Sequence, residues 1–158
     1  MLYFVQAVAT LVLVSLALQD VRARRLSNRT VLAFAMLYFV AAALAQQGLA
    51  QLAGHVATAA ATFLLFGCLR HAGWIGGGDV KLAAAVFLWA GPALAFPVLT
   101  IVGAGGAVYG VAALAIARQR RMEPVRTLET RGVPYGVALA LGGTLAVWAP
   151  FPHPISLT

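Results

Sequence analysis

The sequence predicts an all-α, polytopic membrane bundle of six helices with both termini outside, and three observations predict it. First, hydrophobic residues make up 62% of the 158 and charged residues only 9%, with a mean hydropathy of +0.91. Soluble domains carry roughly 25% charged residues, so this chain cannot cover a globule with polar surface. Disorder requires the opposite composition. Second, the charge-free stretches 1–19, 30–69, 82–117 and 132–158 are continuously apolar. An outer-membrane barrel would show alternation instead. Third, every Lys and Arg falls in loops of one parity. The positive-inside rule makes those loops cytoplasmic. The net charge of +7 is thereby a matter of topology, and nucleic acid is not needed to explain it.

The elements follow in order. The first apolar run, 1–19, is followed by its positive charges, the reverse of a secretory signal, so it reads as a retained helix. The 40-residue stretch 30–69 is interrupted by Gln46, Gln47, Gly48 and Gln51, which predict a tight loop between spans at 32–45 and 52–69. Cys68, the single cysteine, falls in the third span as a small packing residue and supports no disulfide framework. As one helix, 82–117 would measure about 54 Å, against a hydrocarbon core of about 30 Å. Gly91-Pro92 supplies the break, giving spans at 79–90 and 93–117. The last span covers 134–148, ahead of Pro150, Pro152 and Pro154.

Arg22, Arg24, Arg25 and Arg29 then lie between spans 1 and 2, and Arg70 and Lys81 flank the join of spans 3 and 4. Arg118, Arg120, Arg121, Arg126 and Arg131 lie between spans 5 and 6. Anionic lipid is a candidate partner of that last run. Gly103, Gly105, Gly106 and Gly110 give span 5 a small-residue face that suits close packing inside the bundle. The Gly106–Gly110 spacing also suits a homodimer.

Only four acids exist. Glu123 and Glu129 sit in a basic loop, where surface ion pairing accounts for them. Asp20 ends span 1 and Asp79 opens span 4, so with six spans both lie at the cytoplasmic end and share a depth. Ionisable residues on membrane helices are costly and point to function. Two carboxylates close together resist double ionisation and share a proton. Aspartic hydrolysis needs that arrangement: one carboxylate takes a proton from water while the other, protonated, donates to the peptide carbonyl. On spacing alone, two helix-end acids facing headgroups or neighbouring Arg fit equally well.

The surroundings of Asp79 shift that balance. Gly76, Gly77 and Gly78 directly precede the acid, and glycines allow an extended chain to pass close to the carboxylate. The glycine spacing is wrong for a phosphate loop, and no strand precedes it. Gly76-x-Gly78-Asp79 matches the GxGD signature of membrane-embedded aspartyl proteases. The extension Asp79-Val80-Lys81-Leu82 resembles that of the type IV prepilin peptidases. Asp20-Val21-Arg22-Ala23-Arg24-Arg25-Leu26-Ser27-Asn28 resembles the same family's first element, with Ser27 where proline is usual. Val133-Pro134-Tyr135-Gly136 is similar to its Pro-Tyr-Gly element opening the last helix.

The resemblance runs along essentially the whole chain. It implies removal of the short cytoplasmic leader from type IV pilin precursors at the bacterial inner membrane, with Asp20 and Asp79 as catalytic acids. Gly76, Gly77 and Gly78 would form the active-site loop, and Asn28, Lys81, Pro134, Tyr135 and Gly136 are candidate supporting residues. No cofactor or metal is implied. Larger members carry a cytoplasmic domain with paired CxxC motifs and methylate the new N-terminus. With one cysteine and no long loop, residues 1–158 resemble the minimal peptidase-only members serving tight-adherence (Flp) pili.

Among the remaining residues, Lys81 reads as snorkelling to the headgroups rather than tuning the acid, and His71 as solvated. His55 and His153 read as incidental on the outer side. No His, Cys and acid cluster has metal-ligand spacing. Competing functions are a small proton-coupled transporter and a non-catalytic pilus-assembly protein. A protease of the presenilin or signal-peptide-peptidase type shares only GxGD. A transporter needs a polar path, and the spans offer mainly Thr58, Thr62 and Thr100.

Overall fold

The computed structural model describes residues 1–23, 26–73, 75–119 and 135–150. The basic stretch 120–131 with Glu123 and Glu129, Arg24, Arg25, Pro134 and the tail 151–158 with His153 lie outside the described residues. So do the surroundings of Gly110.

The described chain is all-helical. Helix α1 is Leu2–Ala23, α2 Asn28–Leu44 and α3 Leu49–His71, followed by one long run, Gly77–Gln119, and by Tyr135–Trp148. The long run is broken at a single non-helical residue, Gly91. We label its parts α4 (77–90) and α5 (92–119), and the last helix α6. The tight loop expected after span 2 is present, with Gln46 at φ 52°. Several helix ends overrun the expected spans, α3 (Leu49–His71) at both of its ends. Helix α1 continues past Asp20 to Ala23, and α2 starts at Asn28 rather than residue 32. Backbone hydrogen bonding carries a helix past the end of its apolar stretch, so hydropathy alone underestimates length.

Three helical stretches are long and apolar enough to cross a membrane: Leu2–Ala23, Leu49–His71 and Gly77–Val108. Asn28–Leu44 and Gly136–Trp148 are apolar but shorter. Both the inside and the outside of the bundle are apolar. Leu13, Phe34, Tyr38, Leu82, Val98 and Leu139 are buried, whereas Phe4, Leu11, Leu64 and Phe96 stand exposed. So much outward-facing apolar side chain is tolerable only where the surroundings are lipid or another protein.

Helix α1 packs on α2 and α6, and the Gly77–Gln119 run packs on α2, α3 and α6. The small-residue face expected on α5 is used in part. Gly105 lies so close to α6 that a Cβ there would sit 2.8 Å from that of Ala138, while Gly103 faces open space. Cys68 is exposed rather than packed.

The break at Gly91 organises the bundle's far end. Its backbone (φ 60°, ψ −173°) is a conformation essentially closed to residues with a side chain. Pro92 has no N–H, so the carbonyl of Leu88, four residues earlier, loses its helical donor. His55 of α3 replaces it: Nδ1 donates to the Leu88 carbonyl at 2.8 Å. His55 is buried and stacked on Tyr38, with ring centroids 5.1 Å apart. The Tyr38 hydroxyl donates to Gln47 Oε1 at 3.0 Å. Trp89 stacks on Phe34 and donates its indole N–H to the Phe34 carbonyl at 3.1 Å.

His55 is therefore a structural donor and not the incidental residue that its place in the sequence suggested. Replacing His55 by Phe keeps a ring but orphans a buried carbonyl, at an expected cost of about 1–3 kcal/mol. His55→Ala should cost more, through lost packing as well. Thermal melting in detergent checks both. Equal melting of wild type and His55→Phe would show that the Leu88 bond contributes nothing.

Candidate active site

Three sequence elements far apart in the chain meet at one end of the bundle. Asp20, in the last turn of α1, is buried. Its Oδ2 accepts the backbone N–H of Gly136, at the start of α6, at 2.9 Å. The approach is so close that a Cβ on Gly136 would lie 2.6–2.8 Å from Asp20 side-chain atoms. Only glycine fits there.

Asp79, in the first turn of α4, is half-buried. Its carboxylate accepts the backbone N–H of Gly76 and lies within coulombic range of Asp20. The Gly76 carbonyl in turn takes the first helical bond, from Val80 N–H at 3.3 Å. Gly76 is thus the cap of α4, and Asp79 reaches back to it as the third helical residue does in a capping box. This fixes the carboxyl group against the backbone that precedes it.

The glycines of this loop have separate surroundings. A side chain on Gly77 would run into the Arg70 guanidinium from the end of α3. One on Gly78 would press on Leu26, whose Cβ would be 3.2 Å away. Leu26 belongs to the segment that leaves Asp20, so the first and second elements pack directly. A second link joins them further on, where Lys81 Nζ donates to Asn28 Oδ1 at 2.9 Å. Lys81 is exposed and turned away from Asp79, as its two-residue spacing requires.

Ser27, which stands where proline is usual in the resembling element, takes φ −68°, the angle that proline would impose. Its N–H, which proline lacks, is used by Gln19 Oε1 at 3.3 Å. The turn is kept by a different route.

Of the residues singled out in the sequence, Asp20, Asp79, Gly76, Gly77, Gly78 and Gly136 come together. Asn28 and Lys81 pair beside them. Tyr135 opens α6, and Pro134 lies outside the described residues. The specific role of Gly136 as a donor to Asp20 had no signal in the sequence beyond its place in a short element. Among the described residues, no group of His, Cys, Asp and Glu side chains is arranged to hold a metal. The three span threonines each bond a carbonyl of their own helix: Thr58 that of Gly54, Thr62 that of Thr58, and Thr100 that of Phe96. Their hydroxyl donors are spent locally and do not form a chain of polar groups.

Chemically, the site offers two carboxyl groups within electrostatic reach, one buried and one half-buried, each held by a backbone N–H. A protein-family model described as the type IV leader peptidase family matches residues 7–111, a stretch that contains both acids. No curated protein and no solved structure matches the chain.

Proposed function

The chain belongs to the type IV leader peptidase family, and from that premise we propose that it is an aspartic endopeptidase that removes the short leader from type IV pilin-like precursors. The observation that carries this reading is the convergence of Asp20 and Asp79, 59 positions apart in sequence, at one end of the bundle. The pair shares one proton, because two adjacent carboxylates in a partly desolvated site resist double ionisation. The ionised member takes a proton from a water molecule as the water oxygen bonds the scissile carbonyl carbon. The protonated member donates to the carbonyl oxygen. Collapse of the tetrahedral species breaks the C–N bond, and the leaving nitrogen departs with a proton returned from the pair.

The topology proposed with this function has six crossings, both termini outside and the acid pair at the cytoplasmic face of a bacterial inner membrane. The one-sided distribution of Lys and Arg supports it. Residues 1–158 would act as one membrane-embedded peptidase unit, and only the peptidase step is proposed for them. The substrate is a precursor whose mature part begins with an apolar helix. Its leader junction would enter the site as extended backbone beside Gly76.

Co-expression with candidate pilin precursors, followed by intact-mass measurement, tests this directly. The expected result is a precursor shortened by its leader only when the enzyme is present. Full-length precursors throughout, across a panel of candidates, would refute it.

A further inference from the structure

We infer that the groove between α2, α3 and α4 seats the apolar helix of the precursor, so that specificity is set on a face of α4 separate from the carboxyl pair. This rests on the cleavage reading above. Helices α2 and α3 follow one another through a short turn, yet both bond to the end of α4, through Phe34–Trp89 and His55–Leu88, and meet each other through the Tyr38–His55 ring pair. Between that ring pair and Asn28 lies an open groove of about 490 Å³. Its walls include Leu32 and Ala35 of α2 with Ala59 and Phe63 of α3, and Ala84 and Ala85 belong to its floor. Leu32 and Phe63 are exposed.

Two features indicate a helix rather than a lipid chain as the occupant. Alanines contribute from all three helices, and small residues let a helix backbone come close, which is what drives helix association in membranes. The groove also ends at polar groups, Asn28 and Lys81, which line it and bond each other. They bring that end of the groove to the two segments that carry the acids, where the junction end of a precursor helix has to lie. Asn28 closes the element that begins at Asp20, and Lys81 is two residues from Asp79. The groove therefore ends beside the two segments that carry the acids, on the other side of the first turn of α4.

Lys81 and Asp79 point to different sides of α4, so a chain leaving the groove must unwind and cross the first turn of α4 to reach the acids. Unwinding frees backbone carbonyls. The Lys81 ammonium and the Asn28 amide are donors placed where those carbonyls emerge.

Two measurements test this. In the first, Ala84→Phe fills the floor, and cleavage is compared between a full precursor and a soluble peptide spanning only the leader and junction. The ratio of kcat/KM, precursor over peptide, is expected to fall at least about tenfold, because overpacking penalises the helix alone. An unchanged ratio overturns the inference, including one in which both activities fall together. In the second, a photo-crosslinking residue replaces exposed Phe63 in an Asp79→Asn background, which leaves bound precursor uncut. Adducts with the precursor's apolar helix are expected. Adducts only with lipid or with a second copy of this chain overturn the groove assignment while leaving the aspartic mechanism intact. If the unmodified enzyme cuts neither substrate, the cleavage reading itself fails and the inference falls with it.

Discussion

Asp20→Asn and Asp79→Asn are each expected to reduce leader cleavage by about 10²–10⁴-fold, the range that general acid–base groups contribute. The substitution is nearly isosteric, so packing survives. Asn at position 20 still offers a side-chain oxygen to the Gly136 N–H, and Asn at 79 still offers one to the Gly76 N–H. What is lost is the ability to exchange a proton. Because the two carboxyl groups act as one unit, the double variant should be little worse than either single one. Single-turnover cleavage of a purified precursor measures the loss, and unchanged melting in detergent shows that the fold is kept. Near-normal cleavage by either single variant would remove the acid pair from the mechanism.

The second large effect is expected at Gly136. A methyl group there would sit 2.6–2.8 Å from Asp20 side-chain atoms, closer than carbon atoms tolerate. Either the Asp20 carboxyl group rotates off the Gly136 N–H, or α6 shifts away from α1. Both displace a reacting group by a sizeable fraction of an ångström, and misplacement of about 1 Å can cost 10²-fold in rate. Gly136→Ala is therefore expected to lose about 10²-fold in kcat, with a stability loss of about 1–3 kcal/mol from overpacking. Gly103→Ala is the matched control. It lies in open space on α5, where Ala stabilises a helix by up to about 1 kcal/mol over Gly, and cleavage should be unaffected. Wild-type rates from Gly136→Ala would mean that the α6 contact only closes the bundle.

Much of this architecture is legible along the chain. The apolar runs mark the helical segments, and the break at Gly91-Pro92 follows from proline's missing N–H and glycine's freedom at positive φ. The tight turn at Gln46–Gly48 follows from polar residues inside an apolar stretch. The acids at positions 20 and 79 stand out because so few charges exist to compete for attention. The same reasoning failed at His55, whose partner is a carbonyl 33 residues away, and at Cys68, which points outward.

The reason is the character of the helices themselves. A helix in a soluble protein announces its inward face by an amphipathic stripe, whereas these helices are apolar all round, with Phe63 and Leu64 exposed as freely as Phe66 is buried. Composition, charge and local backbone chemistry were enough to establish a helical membrane-type chain, its break and its candidate acids. Rotation of each helix about its own axis leaves no mark in such a sequence, because lipid and protein interior are alike to a hydrocarbon side chain. Only packing in three dimensions decided that Gly136 meets Asp20, that Lys81 meets Asn28, and that Tyr38 of α2 stacks on His55 of α3.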